Sequence, residues 1–239
     1  MDFPAPLIPA RLLRRYKRFL ADVELASGET VTAHCPNPGS MLGLADPDLR
    51  VWLLPAQNPK RKLGYSWELV ELGKADDRDR LLVGINTGRP NTVVAEAISD
   101  GALPELAGYG RLRREVRYGT NSRIDILLED DGREPCYVEV KNVHLVRRAG
   151  VAEFPDSVTA RGAKHLVELA KVREGGARAV MVYLVQRGDC AHLEIAADID
   201  PGYDRALRTA VDRGVETLCY SCKITETGIR LDRALPLAL

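Results

Sequence analysis

The sequence lacks both a net charge and a long apolar run. Its 239 residues carry 34 basic and 34 acidic side chains, so the formal charge is zero with the histidines neutral. This balance argues against a simple basic nucleic-acid arm and against an acidic solvating tail. No apolar run approaches the roughly 18 residues of a membrane-spanning helix, and the first ten residues lack the pattern of a secretory signal. We therefore expect a cytoplasmic protein with no membrane partner.

Cysteine is scarce as well. The five cysteines are an odd number scattered over the chain, which favours reduced thiols over a disulfide framework. Cys219 and Cys222 form a lone CxxC motif, and tetrahedral zinc would need two further soft ligands. We interpret the thiols as ordinary buried side chains and leave the role of the CxxC pair open.

What is present is the composition of a globular protein, in two patterns that meet near residue 87. Hydrophobic residues make up 45% and charged residues 28% of the chain. Before residue 87, short alternating runs separated by turns predict the strands of a small barrel. After it, a helical pattern, three strand-like runs, a long helix, an apolar strand, a helix and a strand follow in turn. We predict an α+β protein with a barrel over 1–86 and an α/β domain with a mixed sheet over 87–239.

A charged hairpin stands out in the second domain. Two alternating runs flank a polar tip centred on Gly132, and this centre places Asp125 opposite Glu139. The same register places Arg123 opposite Lys141. The residues between them are predicted to share an apolar face: Ile124, Ile126, Val138 and Val140.

The two facing carboxylates predict a metal site. Like charges directly opposite each other are destabilising, so a cation should lie between them. Mg²⁺ or Mn²⁺ fits, because hard divalent ions take oxygen ligands and commonly use one or two carboxylates. Lys141 can then reach a metal-bound water or a scissile phosphate, which is the minimum equipment for metal-assisted phosphodiester hydrolysis. The alternative is a surface ladder in which Arg123 and Lys141 neutralise the two carboxylates.

Basic residues are clustered although the total charge is zero. Five cations and no acid lie between residues 11 and 18, where they could neutralise phosphates while Tyr16 and Phe19 stack on bases. The alternative is a helical turn with apolar residues facing the core and solvated arginines. We predict DNA contacts from two groups of residues: Arg11, Arg14, Arg15, Lys17 and Arg18 near the start, and Arg113, Arg114, Arg123, Arg161 and Lys164 in the second domain.

Longer stretches resemble one family. Asp125, the hairpin and then Glu139 to Lys141 resemble the D…ExK signature of the PD-(D/E)XK nuclease superfamily. The wider chain is similar to the sugar fermentation stimulation protein family over RRYKRFLADVEL, TAHCPNPGSM, SRIDILL, YVEVKNV and FPDSVTARGAKHL. This resemblance implies an N-terminal OB-like barrel, a C-terminal nuclease-like α/β domain, and a DNA-binding protein linked to sugar metabolism.

Residue roles follow from the superfamily motif. The resemblance implies that Asp125 and Glu139 are metal ligands and that Lys141 is the catalytic lysine. The Val140 carbonyl and Glu96 are implied as further ligands, although Glu96 falls off the apolar face of its predicted helix.

Two positions depart from the superfamily pattern. Ile124 stands where the superfamily name has proline, and Ala163 stands where related chains often carry glutamine.

The function predicted from these observations is DNA binding, largely independent of base sequence, with a Mg²⁺- or Mn²⁺-dependent phosphodiesterase site. The alternative is a non-catalytic DNA-binding regulator of sugar (maltose) metabolism genes that retains a nuclease-like fold. The choice between single-stranded and double-stranded DNA stays open, as does the oligomeric state, a homodimer included.

Overall fold

The computed structural model describes residues 1–58, 60–73, 80–119 and 122–239. The N-terminal part is a six-stranded sheet in the order β3-β2-β1-β4-β5-β6, which closes into a barrel through a pairing of β3 with β5. The predicted α+β class with an OB-like barrel and a mixed-sheet domain is confirmed. The barrel strands are β1 (Ile8–Tyr16), β2 (Leu20–Leu25), β3 (Thr30–His34), β4 (Arg50–Pro55), β5 (Tyr65–Leu72) and β6 (Leu81–Gly84).

The basic run near the N-terminus lies on strand β1 and not on a helical turn. Ala10 and Leu12 are buried at alternate positions of β1, as the pleat of a strand requires, and β1 pairs with both β2 and β4. Lys17 and Arg18 follow in the connecting turn with φ angles of 49° and 62°. The cations therefore divide between a strand face and a hairpin tip.

The C-terminal part surrounds a second six-stranded sheet in the order β15-β14-β12-β9-β8-β7, and a four-stranded sheet in the order β10-β11-β13-β16 lies beside it. Strands β9, β12 and β14 are parallel, whereas β7, β8 and β15 are antiparallel to their neighbours, so the large sheet is mixed. The elements are α1 (Pro90–Ser99), β7 (Arg111–Tyr118), β8 (Ser122–Glu129), β9 (Cys136–Val143), β10 (Leu145–Arg148), β11 (Val151–Phe154), α2 (Ala160–Glu174), β12 (Arg178–Val185), β13 (His192–Ile195), α3 (Pro201–Asp212), β14 (Glu216–Thr225), β15 (Gly228–Ala234) and β16 (Leu237–Ala238). A short 3-10 helix, Pro104–Leu106, precedes β7.

Strand β12 is the central strand that its apolar sequence predicted. Val180 and Val182 pack in one core cluster, while Met181 and Tyr183 pack in another. Both faces of the sheet are thus covered, which explains why β12 is apolar without alternation.

One core continues from the barrel into the second domain. Trp52 and Leu69 of the barrel belong to the same buried cluster as Val94 of α1 and Val138 of β9. The chain start also joins this cluster, because Phe3 packs there and Asp2 pairs with Gly228 at the start of β15. In the part of the chain that the structure describes, no helix is both long and apolar enough to cross a membrane.

Candidate active site

A cleft of about 930 Å³ lies between the two domains. The barrel contributes the loop from Asn37 to Ser40 together with Arg15 and Arg18. The second domain contributes Asp125 of β8, the end of β9, the segment before α2, and the first turns of α2. The predicted metal and catalytic residues of the hairpin all face this cleft: Asp125, Glu139, Val140 and Lys141.

The predicted hairpin register holds near the tip and ends before the carboxylates. Ile126 pairs with Val138 and Leu128 with Cys136, as a centre at Gly132 requires. No described pair continues that ladder to Asp125, whose Oδ2 instead accepts a hydrogen bond of 2.7 Å from the Val140 amide. The two strands therefore separate where the cleft begins.

Two details of the predicted hairpin are wrong because of this separation. No described pair joins Arg123 to Lys141, because the ladder between β8 and β9 ends at Ile126 and Val138; on its other side Arg123 pairs with Arg117 of β7. Ile124 does not share a face with Ile126, since the two lie in different core clusters. The alternation of β8 is interrupted at Asp125, opposite Glu115, whose φ of 55° breaks the β7 side of the ladder.

Glu139 is the most buried charged group of the site, with 2% of its surface exposed. Its Oε1 accepts a hydrogen bond of 2.7 Å from Lys141 Nζ and is also bonded by His165 Nδ1. Burial alone would raise the pKa of Glu139, but His165 and Lys141 together hold it below its ordinary value. The other oxygen, Oε2, is buried and has no hydrogen-bond partner among the described residues.

Asp125 has a different electrostatic environment from Glu139. Asn91 of α1 donates a hydrogen bond of 2.7 Å to Oδ1, and the Val140 amide donates to Oδ2. Burial and the neighbouring charge of Glu139 raise the pKa of Asp125 to about 6 against the favourable hydrogen bonds. The two carboxylates repel each other across the cleft, and a bound cation would relieve that repulsion.

The donor set fits a hard divalent cation. Among the described residues no group of three His, Cys, Asp or Glu side chains is arranged around one point. Two carboxylates are nevertheless a common ligand set for Mg²⁺, which keeps several waters. The unpartnered Oε2 of Glu139 is an acceptor without a donor in a buried position, which is costly unless something cationic meets it. Asp125 and Glu139 would hold the ion, with the Val140 carbonyl beside them.

Helix α2 supplies a residue whose role the sequence did not reveal. His165 is buried, its Nδ1 contacts Glu139, and its Nε2 lies 3.3 Å from the Nε of Arg161. Because Arg161 can only donate, a neutral His165 carries its proton on Nδ1 and donates it to Glu139. His165 thus supports Glu139 from the helix in which Ala163 replaces the expected glutamine. The sequence did contain a signal for this role: His165 stands two residues after Ala163 and lies in the same sector of the helix as Arg161.

A second series of hydrogen-bonded side chains ends in the cleft at His144. Asn142 accepts a hydrogen bond of 2.6 Å from Gln186 and donates one of 2.9 Å to His144 Nδ1. A neutral His144 therefore carries its proton on Nε2, which is buried and lies 3.4 Å from Asp156 Oδ2 outside hydrogen-bond geometry. Burial would raise the pKa of Asp156, but His144 and the Met41 amide hold it below its ordinary value.

The predicted DNA-contact residues divide into two sets. Arg15, Arg18 and Arg161 line the cleft. The others lie elsewhere, and several of them already have acidic partners. Four of them form ion pairs: Arg11 with Glu24 and Asp48, Arg14 with Asp22, Arg113 with Glu129, and Lys164 with Glu168. Arg114 donates a hydrogen bond to Thr92. Arg123 and Lys17 are exposed and do not line the cleft.

Glu96 must be corrected as a candidate metal ligand. Its carboxylate lies 2.6 Å from the amino group of Met1 and does not line the cleft. The helical position explains this placement, because Val93, Val94 and Ala97 occupy the buried side of α1 and Glu96 is exposed. Asn91, one turn earlier, is the α1 residue that reaches Asp125.

Fold and site together define a class of protein: an OB barrel joined to a mixed-sheet domain with a carboxylate–lysine site in the cleft between them. The N-terminal match is to the SfsA N-terminal OB domain over residues 13–84, and the C-terminal match is to the sugar fermentation stimulation protein RE domain over residues 88–228. The chain belongs to the sugar fermentation stimulation protein family.

Relatives cover the whole chain. A sugar fermentation stimulation protein homolog of Rhodospirillum centenum is 59% identical over 238 residues, covering 100% of both chains. One from Azorhizobium caulinodans is 57% identical, covering 99% of each. Among solved structures, Pyrococcus furiosus SfsA in complex with Ca²⁺ is 26% identical with a TM-score of 0.87, covering 100% of this chain and 98% of the other.

Proposed function

We propose that this protein binds DNA in the interdomain cleft, largely without regard to base sequence, and hydrolyses phosphodiester bonds there with Mg²⁺ or Mn²⁺. The observation that carries the proposal is the buried, unpartnered Oε2 of Glu139, a residue that lines the same cleft as Asp125 and Lys141. A surface ladder of salt bridges would not contain a buried, unpartnered carboxylate oxygen, because every charge in such a ladder is paired or solvated.

A divalent ion at Asp125 and Glu139 would polarise a phosphoryl oxygen and lower the pKa of a bound water. The protein contributes the geometry. The Val140 amide and Asn91 orient Asp125, while His165 and Lys141 keep Glu139 ionised. Lys141 is only 15% exposed at its side chain and can hold the attacking water or a phosphate oxygen near both carboxylates.

Cations on both sides of the cleft suit a phosphate backbone. Arg18 lines the cleft from the turn between β1 and β2, and Arg161 lines it from α2 beside His165. The structure of the Pyrococcus furiosus relative in complex with Ca²⁺ supports a divalent ion in this family, since Ca²⁺ also takes oxygen ligands.

Titration calorimetry with Mn²⁺ at neutral pH tests the metal site. The wild-type protein should bind the ion, and a variant with both Asp125→Ala and Glu139→Ala should not. The matched control is Glu96→Ala, which removes a carboxylate outside the cleft and should leave binding unchanged. Equal Mn²⁺ binding by the wild type and the double variant would refute the assignment.

Cleavage of plasmid and single-stranded DNA with Mn²⁺ tests the chemistry. Removing one electrostatic catalytic group commonly lowers the rate about 100- to 1,000-fold. Lys141→Ala should therefore lose cleavage activity by about that factor while it still binds DNA. If wild type and Lys141→Ala show the same residual cleavage, that cleavage comes from a contaminant, and the non-catalytic DNA-binding regulator becomes the better description.

A further inference from the structure

The cleft differs from a duplex-binding surface in its charges. Many exposed arginines outside it are already neutralised by ion pairs, for example Arg11 with Glu24 and Arg113 with Glu129. By contrast, Arg18 and Arg161 in the cleft form no ion pair with any carboxylate that the structure describes. Cations without a carboxylate partner are therefore available to phosphates inside the cleft, although Lys17 and Arg123 are also exposed outside it.

The size of the cleft limits what can enter. A volume of about 930 Å³ lies within the range of clefts that hold small molecules, about 300 to 1,000 Å³. Such a space accommodates a few nucleotides of one strand. A duplex is too large to be enclosed in this volume, so only part of a duplex could lie inside the cleft.

Exposed apolar side chains occur in the segments that line the cleft or directly adjoin those segments in sequence. Five large hydrophobic side chains are exposed among the described residues, and Phe19, Leu42 and Val158 are three of them, with 46%, 60% and 74% of their surface exposed. Val158 lines the cleft, Phe19 follows the cleft residue Arg18, and Leu42 lies two residues after the cleft residue Ser40. Aromatic and apolar groups beside cations are what unpaired bases require for stacking.

Two residues with unfavourable backbone conformations lie in or next to the same segments. Arg18 and Met41 have φ angles of 62° and 53°, in the left-handed region that favours glycine. Arg15 holds both segments, since it donates to the backbone oxygens of Arg18, Asn37 and Gly39. Non-glycine residues persist in such conformations where the surrounding structure imposes them, often at ligand sites.

We propose that the ligand of the cleft is single-stranded DNA, or an unpaired strand of a duplex end, whose bases stack on Phe19 while Arg18 and Arg161 hold its phosphates. This inference rests on the proposed function for the ligand class and adds the strand state. It predicts that duplex DNA binds only where a strand has separated.

The test is fluorescence anisotropy in EDTA, which prevents turnover, with a short labelled single strand and the blunt duplex of the same sequence. The single strand should bind at least about tenfold more tightly, and Phe19→Ala should reduce that affinity about tenfold, the size expected of one base–aromatic stack. Val167→Ala, which shortens an exposed apolar residue of α2 outside the cleft, should have no effect. A single-stranded RNA of the same sequence forms a separate arm, and an RNA affinity above that of DNA would overturn the assignment to DNA.

A second variant separates binding from folding. Arg18→Gly suits a φ of 62° and should leave the unfolding midpoint unchanged or higher, yet it should weaken single-strand binding. Equal or tighter duplex binding, or unchanged single-strand binding by both Phe19→Ala and Arg18→Gly, would overturn the inference alone. If neither DNA binds, the DNA-binding part of the proposed function fails as well.

Discussion

Two carboxylates that face one cleft differ in how readily they ionise. Glu139 is held anionic by His165 and Lys141, whereas Asp125 has its pKa raised to about 6 by burial and by the Glu139 charge. Near pH 6 the pair thus carries between one and two negative charges. A divalent ion would favour the doubly ionised form, so binding should release a proton at low pH.

The raised pKa of Asp125 predicts a measurable dependence of stability on pH. Between pH 3.8, its ordinary pKa, and about 6, the native state binds more protons than the unfolded state, so Asp125 contributes less to stability as pH rises. Asp125→Ala should gain on the order of 2 kcal/mol relative to wild type between pH 4 and pH 7 without metal. Urea unfolding in EDTA at both pH values measures this difference.

Glu129→Ala is the matched control for that measurement, because Glu129 ends the same strand and its pKa is lowered by Arg113 and Arg111. This variant should change in the opposite direction, losing stability relative to wild type as pH rises. A difference between Asp125→Ala and wild type that is constant with pH would contradict the raised pKa.

The cysteines show how an element decides the meaning of a short motif. Cys219 and Cys222 lie three residues apart on strand β14, so their side chains point to opposite faces and belong to different cores. All five cysteines are buried and free, and burial raises the pKa of Cys219 to about 12. The CxxC pair therefore cannot act together on a metal or a disulfide within one chain.

At the scale of elements, the cleft depends on a close approach of the barrel loop to the segment before α2. Asp156 lies so near Gly39 that a Cβ there would overlap with Oδ2 of the carboxylate. The same carboxylate oxygen lies 3.3 Å from the Met41 amide, which donates to it. A side chain at position 39 would therefore displace the Asp156 carboxylate of the other domain from its present position.

Gly39→Ala should destabilise the protein by about 1–3 kcal/mol, the usual cost of overpacking, and should weaken ligand binding in the cleft. Gly64→Ala is the control, because a Cβ there meets nothing within 4 Å. The free energies of unfolding of the wild type, Gly39→Ala, Asp156→Ala and the double variant, measured by chemical denaturation, form a double-mutant cycle. Strict additivity of the two single effects would contradict the proposed clash.

At the scale of the whole molecule, the two domains share a core and a buried polar junction. Glu68 of the barrel is 1% exposed and accepts two hydrogen bonds from Arg89 at the start of α1. Gln186, after β12, accepts a hydrogen bond from the Gly84 amide through its backbone and donates one to the Asn86 carbonyl. Because these contacts are buried, separating the domains would expose both apolar surface and charge.

The shared core predicts that the domains unfold together. Trp52 and Trp67 both lie in the barrel, whereas the α-helices lie in the second domain, so tryptophan fluorescence and far-UV circular dichroism report on different domains. The two denaturation curves should coincide. Arg89→Ala, which leaves Glu68 buried without its cation, should lower the free energy of unfolding by about 3–5 kcal/mol and shift both midpoints together.

Arg208→Ala breaks an exposed pair with Asp204 and should change stability by less than about 1 kcal/mol. Two separated transitions in the wild type would show that the shared core does not couple the domains.

The sequence by itself determined much of the secondary structure and the register of the β8–β9 hairpin near its tip. Alternation along a strand and symmetry about Gly132 are local properties, and the pairs from Ile126 to Leu128 follow them. Six strands were missed: β1 and β15, and the short strands β10, β11, β13 and β16, whose two to four residues carry too little periodicity.

Only the tertiary structure decided which residues meet at the site. His165 reaches Glu139, Asn91 reaches Asp125, and Asp156 reaches Met41 across separations of 26, 34 and 115 residues. The tertiary structure also decided which cations are already in ion pairs, and it placed the Glu96 carboxylate beside the amino group of Met1. The physical reason is that hydrogen bonds and ion pairs depend on distance in space, whereas sequence patterns report only which face of its own element a residue occupies.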